Sequence, residues 1–162
     1  MEHIWAPWRM EYILSEKNGQ CFFCEKSKQM AKDRENLVLY RGKLAFALMN
    51  IYPYNNGHIM IAPYAHVPSL TDLNHDQIGD LFHLTQRCEH VLTQAVQPEG
   101  FNIGLNLGKV AGAGIEDHLH VHIVPRWNGD TNYMTTISNI RVIPQQLEET
   151  YKVLISYFLK QE

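Results

Sequence analysis

Alternating apolar and polar positions, bounded by turn residues, predict five short strands: LVLYR (37–41), LAFALM (44–49), HIMIA (58–62), FNIGLNL (101–107) and HLHVHIV (118–124). Gly42 and Lys43 separate the first two and suit a hairpin turn. Between the third and fourth strands the period lengthens. Ile78, Leu81, Phe82, Cys88, Leu92 and Ala95 fall on one helical stripe, and Asn74 with Gln77 three positions later fits a capping box at its start. Pro144 opens a second amphipathic helix, in which Leu147, Tyr151, Leu154, Ile155 and Phe158 recur at helical spacing. Hairpin-like strands, a long helix, two more strands and a terminal helix predict an α+β fold on an antiparallel five-stranded sheet, not a doubly wound parallel one. No repeat or low-complexity run interrupts this order, and 126–142 is the least regular stretch.

Composition narrows the classes. A chain of 162 residues supports one hydrophobic core and hardly two, so residues 1–162 are expected to form one domain. With 45% hydrophobic and 19% charged residues the chain is neither disordered nor fibrous. A formal net charge of -3 gives no global field for a polyanion, so no nucleic-acid partner is expected and any phosphate must be held locally. Glu2 stands where a signal peptide would be basic, and no apolar run approaches the ~20 residues of a membrane span. The expectation is a cytoplasmic protein with no membrane contact. Three cysteines, two of them in a Cys-x-x-Cys pair, suit a reducing compartment better than a disulfide framework.

The last strand carries the chemistry. Side chains alternate faces along a strand, so His118, His120 and His122 share one face while Leu119, Val121 and Ile123 enter the core. Three readings compete: a merely polar face, a metal site built from histidines at i and i+2, and imidazole chemistry at a phosphoryl centre, with one ring attacking while its neighbours donate hydrogen bonds. The preceding segment, GLNLGKVAGAGIED (104–117), favours the third. Its glycines and alanines let backbone N–H groups approach a ligand's oxygens. Neither a GxGxxG fingerprint nor a P-loop is present, so a phosphate site here is of another kind.

HLHVHIV (118–124) resembles the His-x-His-x-His-x-x signature of the histidine triad superfamily of nucleotide hydrolases and transferases, and ALMNIYPYNNGHIMIAP (47–63) resembles that family's strand-turn-strand. The likeness runs over roughly residues 20 to 127. It implies that His120 is the nucleophile attacking an α-phosphorus, giving a nucleotidyl-histidine intermediate. For Nε2 to attack, the other ring nitrogen must donate its proton, to a backbone carbonyl of the same strand. The resemblance further implies that His122 contacts the α-phosphate or the departing oxygen, and that His58 donates to the same group. Asn106 resembles an amide placed near the scissile phosphate, Asn50 a ribose ligand, and Leu48 and Ile51 lie where adenine would sit. Many relatives carry Ser or Thr three positions before the first triad histidine. Ile115 stands there, so contact is expected from backbone N–H groups of Gly112 to Ile115, Gly114 included.

CFFCEK (21–26) can be read as a redox dithiol, half of a zinc site, or two semi-buried thiols. The turn-like SEKNGQ before it argues against a thioredoxin-type motif, which needs a preceding strand. Structural zinc needs four ligands, and the pair supplies two. The family resemblance implies the rest: Cys21, Cys24, His66 and His118 stand where several branches bind a structural zinc. Cys88 reads as ordinary core, and His75, His83 and His90 as the solvated side of the long helix.

Two flanking stretches, WAPWRMEYI (5–13) and VPRWNGDTNYM (124–134), resemble the bacterial branch that includes diadenosine tetraphosphate phosphorylases, which is related to the fragile-histidine-triad proteins. Trp5, Trp8 and Trp127 read equally well as packing anchors, and Arg9 and Arg126 as partners of phosphate or of acids such as Asp130. Residues 1–20 form an extension and 126–162 a C-terminal segment and helix. The resemblance implies cleavage of a dinucleoside polyphosphate at an α-phosphate, with inorganic phosphate as acceptor in a phosphorylase or water in a hydrolase, and no organic cofactor. It also implies a homodimer joining two sheets. The alternatives are hydrolysis of nucleoside phosphoramidates and nucleotide binding without turnover.

Overall fold

The computed structural model describes residues 21–130 and 145–160. The expectations for Trp5, Trp8, Arg9 and Pro144 lie outside them.

In order, the elements are α1 (Phe22–Lys28), β1 (Val38–Arg41), β2 (Ala45–Met49), β3 (Ile59–Pro63), α2 (His75–Val96), β4 (Gly100–Leu105), β5 (Val121–Arg126) and α3 (Leu147–Leu159). The strands form one sheet in the order β1-β2-β3-β5-β4, and every neighbouring pair is antiparallel. The expected α+β architecture is present.

Period-two alternation sorts the strands between two cores. Ala45, Ala47, Met49, Ile59, Ile61, Val121 and Ile123 face α2 and α3 in the larger core. Phe46, Leu48, Met60 and Ala62 turn to the other side, where Phe23 of α1 covers them. β2 and β3 are therefore buried on both faces, which explains their near-continuous apolar sequences.

The capping box of α2 is complete: the Gln77 N–H donates to Asn74 Oδ1, and the Asn74 N–H donates to Gln77 Oε1, both at 2.9 Å. Its buried stripe is Leu81, Leu84, Thr85, Cys88, Val91 and Leu92. Phe82 departs from expectation and is 44% exposed. At about 100° per residue it sits roughly 120° from the centre of that stripe, on the helix flank. His75, His83 and His90 are exposed, and burial pushes the Cys88 thiol far up in pKa.

The strand boundaries shift most in the last two strands. β4 ends at Leu105, not 107, and β5 begins at Val121, not His118. The register Ile61↔Val121 would continue to Pro63↔Leu119, but Pro63 has no N–H to offer. The ladder stops. The Leu119 N–H donates instead to the Val67 carbonyl at 2.7 Å, and the Pro63 carbonyl accepts from the His118 ring at 2.9 Å. Alternation survives without the ladder, since Leu119 still enters the larger core.

α1 has no counterpart in the expected elements. Seven residues make a helix too short to persist alone, and side chains from the sheet hold it. The Arg41 guanidinium donates to the Ser27 carbonyl at 2.9 Å and the Lys26 carbonyl at 3.0 Å, capping the helix C-terminus, while pairing with Asp33 at 2.6 Å. That pairing holds the Arg41 pKa above its ordinary value.

Candidate active site and metal centre

On the α1 side of the sheet a cavity of about 270 Å³ opens. Its apolar wall is Phe22, Ile51, Met60 and Ile115, with Tyr52 and Tyr54 beside them. Asn50, His120, His122, Gly112 and Gly114 supply the polar lining and close backbone. Among the described lining residues there is no Lys or Arg. An anion held here by those residues meets imidazoles, amides and backbone groups.

His120 is 5% exposed, and its Nδ1–H donates to the His118 carbonyl at 2.9 Å. The carbonyl accepts only, so the proton sits on Nδ1 and the lone pair on Nε2. Burial, partly opposed by that hydrogen bond, lowers the His120 pKa and favours the neutral ring. A neutral imidazole with its bare nitrogen in a cavity wall has the chemistry to act as a nucleophile.

The neighbouring rings form a chain of fixed protons. The Tyr54 backbone N–H donates to His58 Nδ1 at 3.1 Å, with Asn50 Nδ2 3.4 Å from the same nitrogen. His58 must then carry its proton on Nε2, which donates to His122 Nδ1 at 2.9 Å. Neutral His122 in turn carries its proton on Nε2 and is a donor toward the cavity it lines. His58 itself is fully buried behind His122 and does not line the cavity. Direct donation from His58 to a bound phosphate does not fit this placement; its Nε2 meets the His122 ring instead.

The remaining expected site residues are placed unevenly. Asn50 and Ile51 line the cavity, and Asn50 Oδ1 also accepts from the Tyr52 N–H at 2.9 Å. Leu48 is fully buried in the smaller core beneath the floor. β2 alternation turns it to the α1 side, but it is not among the residues that line the cavity. Asn106 lies one residue past the Leu105–Val121 pair, level with His120, yet outside the lining. Gly112, Gly114 and Ile115 are lining residues. Gly112 has φ 83°, a left-handed conformation that favours glycine. Its N–H donates to the Lys109 carbonyl at 3.0 Å, and that of Ala113 to Gly108 at 3.4 Å, so both are committed within the loop. Arg126 pairs with Asp130 and donates to Asn102 Oδ1 at 2.7 Å, and Trp127 Nε1 donates to the Gln97 carbonyl. This arginine is thus paired with an acidic partner.

Phe22, Tyr52, Tyr54 and Met60 were not anticipated as cavity walls. Met60 was findable: alternation places it opposite Ile59 and Ile61, and the register pairs it with His122.

Beside the cavity, Cys21, Cys24, His66 and His118 bring one ligand atom each within 4.8 Å of one another. His66 Nδ1 and His118 Nδ1 are 3.2 Å apart, Cys21 Sγ is 3.3 Å from His118 Nδ1, and Cys24 Sγ is 3.4 Å from His66 Nδ1 and 3.6 Å from His118 Nδ1. Tetrahedral zinc with bonds of ~2.0 Å to nitrogen and ~2.3 Å to sulfur has edges of about 3.3 Å (N–N) and about 3.6 Å (N–S). The residues fit such an ion. His118 Nε2–H donates to the Pro63 carbonyl, which turns the bare Nδ1 toward the cluster. Burial lowers its pKa to about 4, so the ring is neutral, as a ligand must be.

The HIT domain family matches residues 31–129, more than half of the chain. This chain belongs to the HIT domain family. The AP-4-A phosphorylase of Mycobacterium tuberculosis (strain ATCC 25618 / H37Rv) is 39% identical to it over 168 residues, covering 99% of this chain and 86% of its own. The asymmetrical bis(5'-nucleosyl)-tetraphosphatase of Schizosaccharomyces pombe is 33% identical over 122 residues, 75% of this chain and 63% of its own. A solved Zn-bound histidine triad family protein from Mycobacterium smegmatis has a TM-score of 0.68 at 26% identity, covering 88% of this chain and 96% of that one. The phosphorylase and the tetraphosphatase are enzymes, and this HIT protein is an enzyme. No helix among its described residues is long and apolar enough to cross a membrane.

Proposed function

We propose that this HIT protein cleaves dinucleoside polyphosphates, diadenosine tetraphosphate among them, at an α-phosphate through a nucleotidyl intermediate on His120, with inorganic phosphate as the second acceptor. One observation carries the reading: His120 Nδ1 is tied to its own chain, so Nε2 faces a cavity beside a second ring whose proton is fixed by a third. His120 Nε2 attacks the α-phosphorus. A P–N bond forms and the P–O bond to the departing nucleoside polyphosphate breaks, while the His122 Nε2–H meets the oxygen on which charge develops. A phosphate oxygen then attacks the same phosphorus, the P–N bond breaks, and a nucleoside diphosphate leaves with His120 restored. The two named relatives, a phosphorylase and a tetraphosphatase, support the substrate class.

Adenine takes the apolar wall at Ile51, and its ribose Asn50; Leu48 serves only as support beneath. Zinc fits Cys21, Cys24, His66 and His118, where it would clamp the N-terminal segment to the residues around the nucleophile. No organic cofactor is invoked. A cytoplasmic homodimer completes the reading; exposed Ile103 and Leu107 at the β4 edge, 44% and 41% accessible, support the pairing of two copies.

Incubation with diadenosine tetraphosphate, with and without inorganic phosphate, tests the chemistry. ADP plus ATP, formed only with phosphate, is the expected outcome. AMP plus ATP without phosphate makes the protein a hydrolase, and binding without products makes it a nucleotide-binding protein. Turnover of an adenosine phosphoramidate in preference to the tetraphosphate favours the second hydrolytic reading.

A further inference from the structure

α1 joins the two sites. Cys21 is its N-cap and Cys24 lies one turn along, so two of the four candidate ligands ride on this short helix and its cap. Between them stand two phenylalanines with different destinations. Phe22 turns into the cavity wall beside Ile115. Phe23, fully buried, packs its ring centroid 5.1 Å from that of His118 and 4.8 Å from that of His120. The two phenyl rings also touch each other edge-to-face at 5.3 Å.

A helix about 10 Å long, from 1.5 Å per residue, has no stability of its own to hold a wall in place. Its position comes from its anchors. Arg41 secures only the C-terminal end, through the carbonyls of Lys26 and Ser27. The N-terminal end, which carries Phe22, has Phe23 packing and the Cys–His cluster. Without an ion in that cluster, Phe23 packing alone would hold the end of the helix nearest the cavity. Linkage then makes the effect mutual: whatever ion occupancy does for nucleotide affinity, a bound nucleotide does for ion affinity.

We propose that Phe22 and Phe23 are positioning residues through which the metal site and the nucleotide cavity act as one coupled unit, so that a nucleotide against Phe22 locks zinc in and zinc holds the wall that the nucleotide needs. Phe22 carries the coupling to the ligand, and Phe23 carries it to the rings of His118 and His120. His66, the exposed member of the cluster, is the side from which an ion leaves. The proposal rests on the nucleotide and zinc readings above.

The test starts from the zinc-loaded full chain, so it does not depend on the metal-free protein staying folded. Zinc release to excess chromophoric chelator is timed with no ligand and with saturating AMP, whose binding is measured separately by calorimetry. For the unsubstituted protein AMP is expected to slow release at least tenfold. In Phe22→Ala, at AMP concentrations that saturate the variant, the slowing is expected to fall below twofold; Phe22→Leu, which keeps an apolar wall, recovers part of it. A general stabilising effect of AMP would persist in Phe22→Ala, so equal slowing in both proteins overturns the proposal, as does unchanged release in the unsubstituted protein with AMP bound. Failure of AMP to bind, or of the chain to hold zinc, overturns the corresponding earlier reading and this one with it. AMP bound, zinc held and release unmoved overturns this inference alone.

Discussion

His118 and His120 are two residues apart, both buried, both neutral at pH 7 by the direction of their shifts, and both bonded to a backbone carbonyl. They differ in which nitrogen is spent. His118 donates through Nε2 to Pro63, which leaves Nδ1 for the cluster with Cys21, Cys24 and His66. His120 donates through Nδ1 to His118, which leaves Nε2 for the cavity. Residue type, burial and spacing are nearly matched, so they do not separate a candidate ligand from a candidate nucleophile. The position of one carbonyl does. For His118 that carbonyl comes from the end of β3, where a proline stops the ladder; for His120 it belongs to the chain two residues back.

Exchanging the two roles by mutation breaks the comparison most directly. His120→Ala is expected to lower turnover of diadenosine tetraphosphate by on the order of 10⁴-fold or more, as for other lost nucleophiles, while zinc content and AMP affinity stay within a few-fold. His118→Ala does the reverse in its first effect: zinc affinity falls by more than about 100-fold, since losing a ligand costs more than losing a second-sphere partner, and activity falls only as the segment at α1 loosens. Metal analysis and single-turnover kinetics on both variants check the pair. Zinc lost from His120→Ala, or full zinc in His118→Ala, would show that the two rings are not divided as their hydrogen bonds divide them.

Much of this was legible in the chain. The alternation through Leu119, Val121 and Ile123 set the histidine face, and the capping box at Asn74 and the stripe along α2 placed the long helix. Local pattern suffices where one face is simply apolar. It failed where a neighbour far along the chain decides. Arg41 caps α1 from 13 residues beyond its last turn, and nothing in CFFCEK alone marks a helix of seven residues. The resemblance put Leu48 beside adenine, and β2 alternation does turn it to that side of the sheet, but the side chain is fully buried in the smaller core and outside the cavity lining. The resemblance had His58 donating to the phosphate, yet only three-dimensional pairing shows it behind His122. Phe82 shares the apolar character of the stripe but lies at its flank.

The contrast extends to a third ring, with a smaller expected effect. His58 has its tautomer set by the Tyr54 N–H and passes that choice to His122. His58→Ala removes the donor to His122 Nδ1, so His122 is free to present a bare nitrogen to the leaving oxygen. A fall in kcat of about 100-fold is expected, at the low end of what positioned proton donors contribute, with KM little changed. His58→Gln keeps an N–H in that region and is expected to recover part of the loss, whereas a space-filling His58→Leu is not. The defect should shrink with a substrate whose leaving group needs no proton. Equal defects with good and poor leaving groups would mean that His58 supports packing alone.

The smallest of these effects belongs to Asn50, which touches both the chain of rings and the cavity. Its Oδ1 accepts from the Tyr52 N–H at 2.9 Å and its Nδ2 stands 3.4 Å from His58 Nδ1. The His58 tautomer does not depend on Asn50, because the Tyr54 N–H alone fixes it. Asn50→Ala therefore removes about one hydrogen bond's worth of organisation, ~1 kcal/mol or roughly fivefold in kcat/KM. An amide oxygen has a second lone pair, so one acceptor site remains beyond Tyr52 for a ribose hydroxyl. A double-substitution cycle with a 2'- or 3'-deoxy nucleotide separates these uses. If Asn50 holds the ribose, the missing hydroxyl costs the unsubstituted protein several-fold and costs Asn50→Ala nothing further. If the two losses simply multiply, Asn50 serves the Tyr52 turn and the ring pair only, and the ribose is held elsewhere.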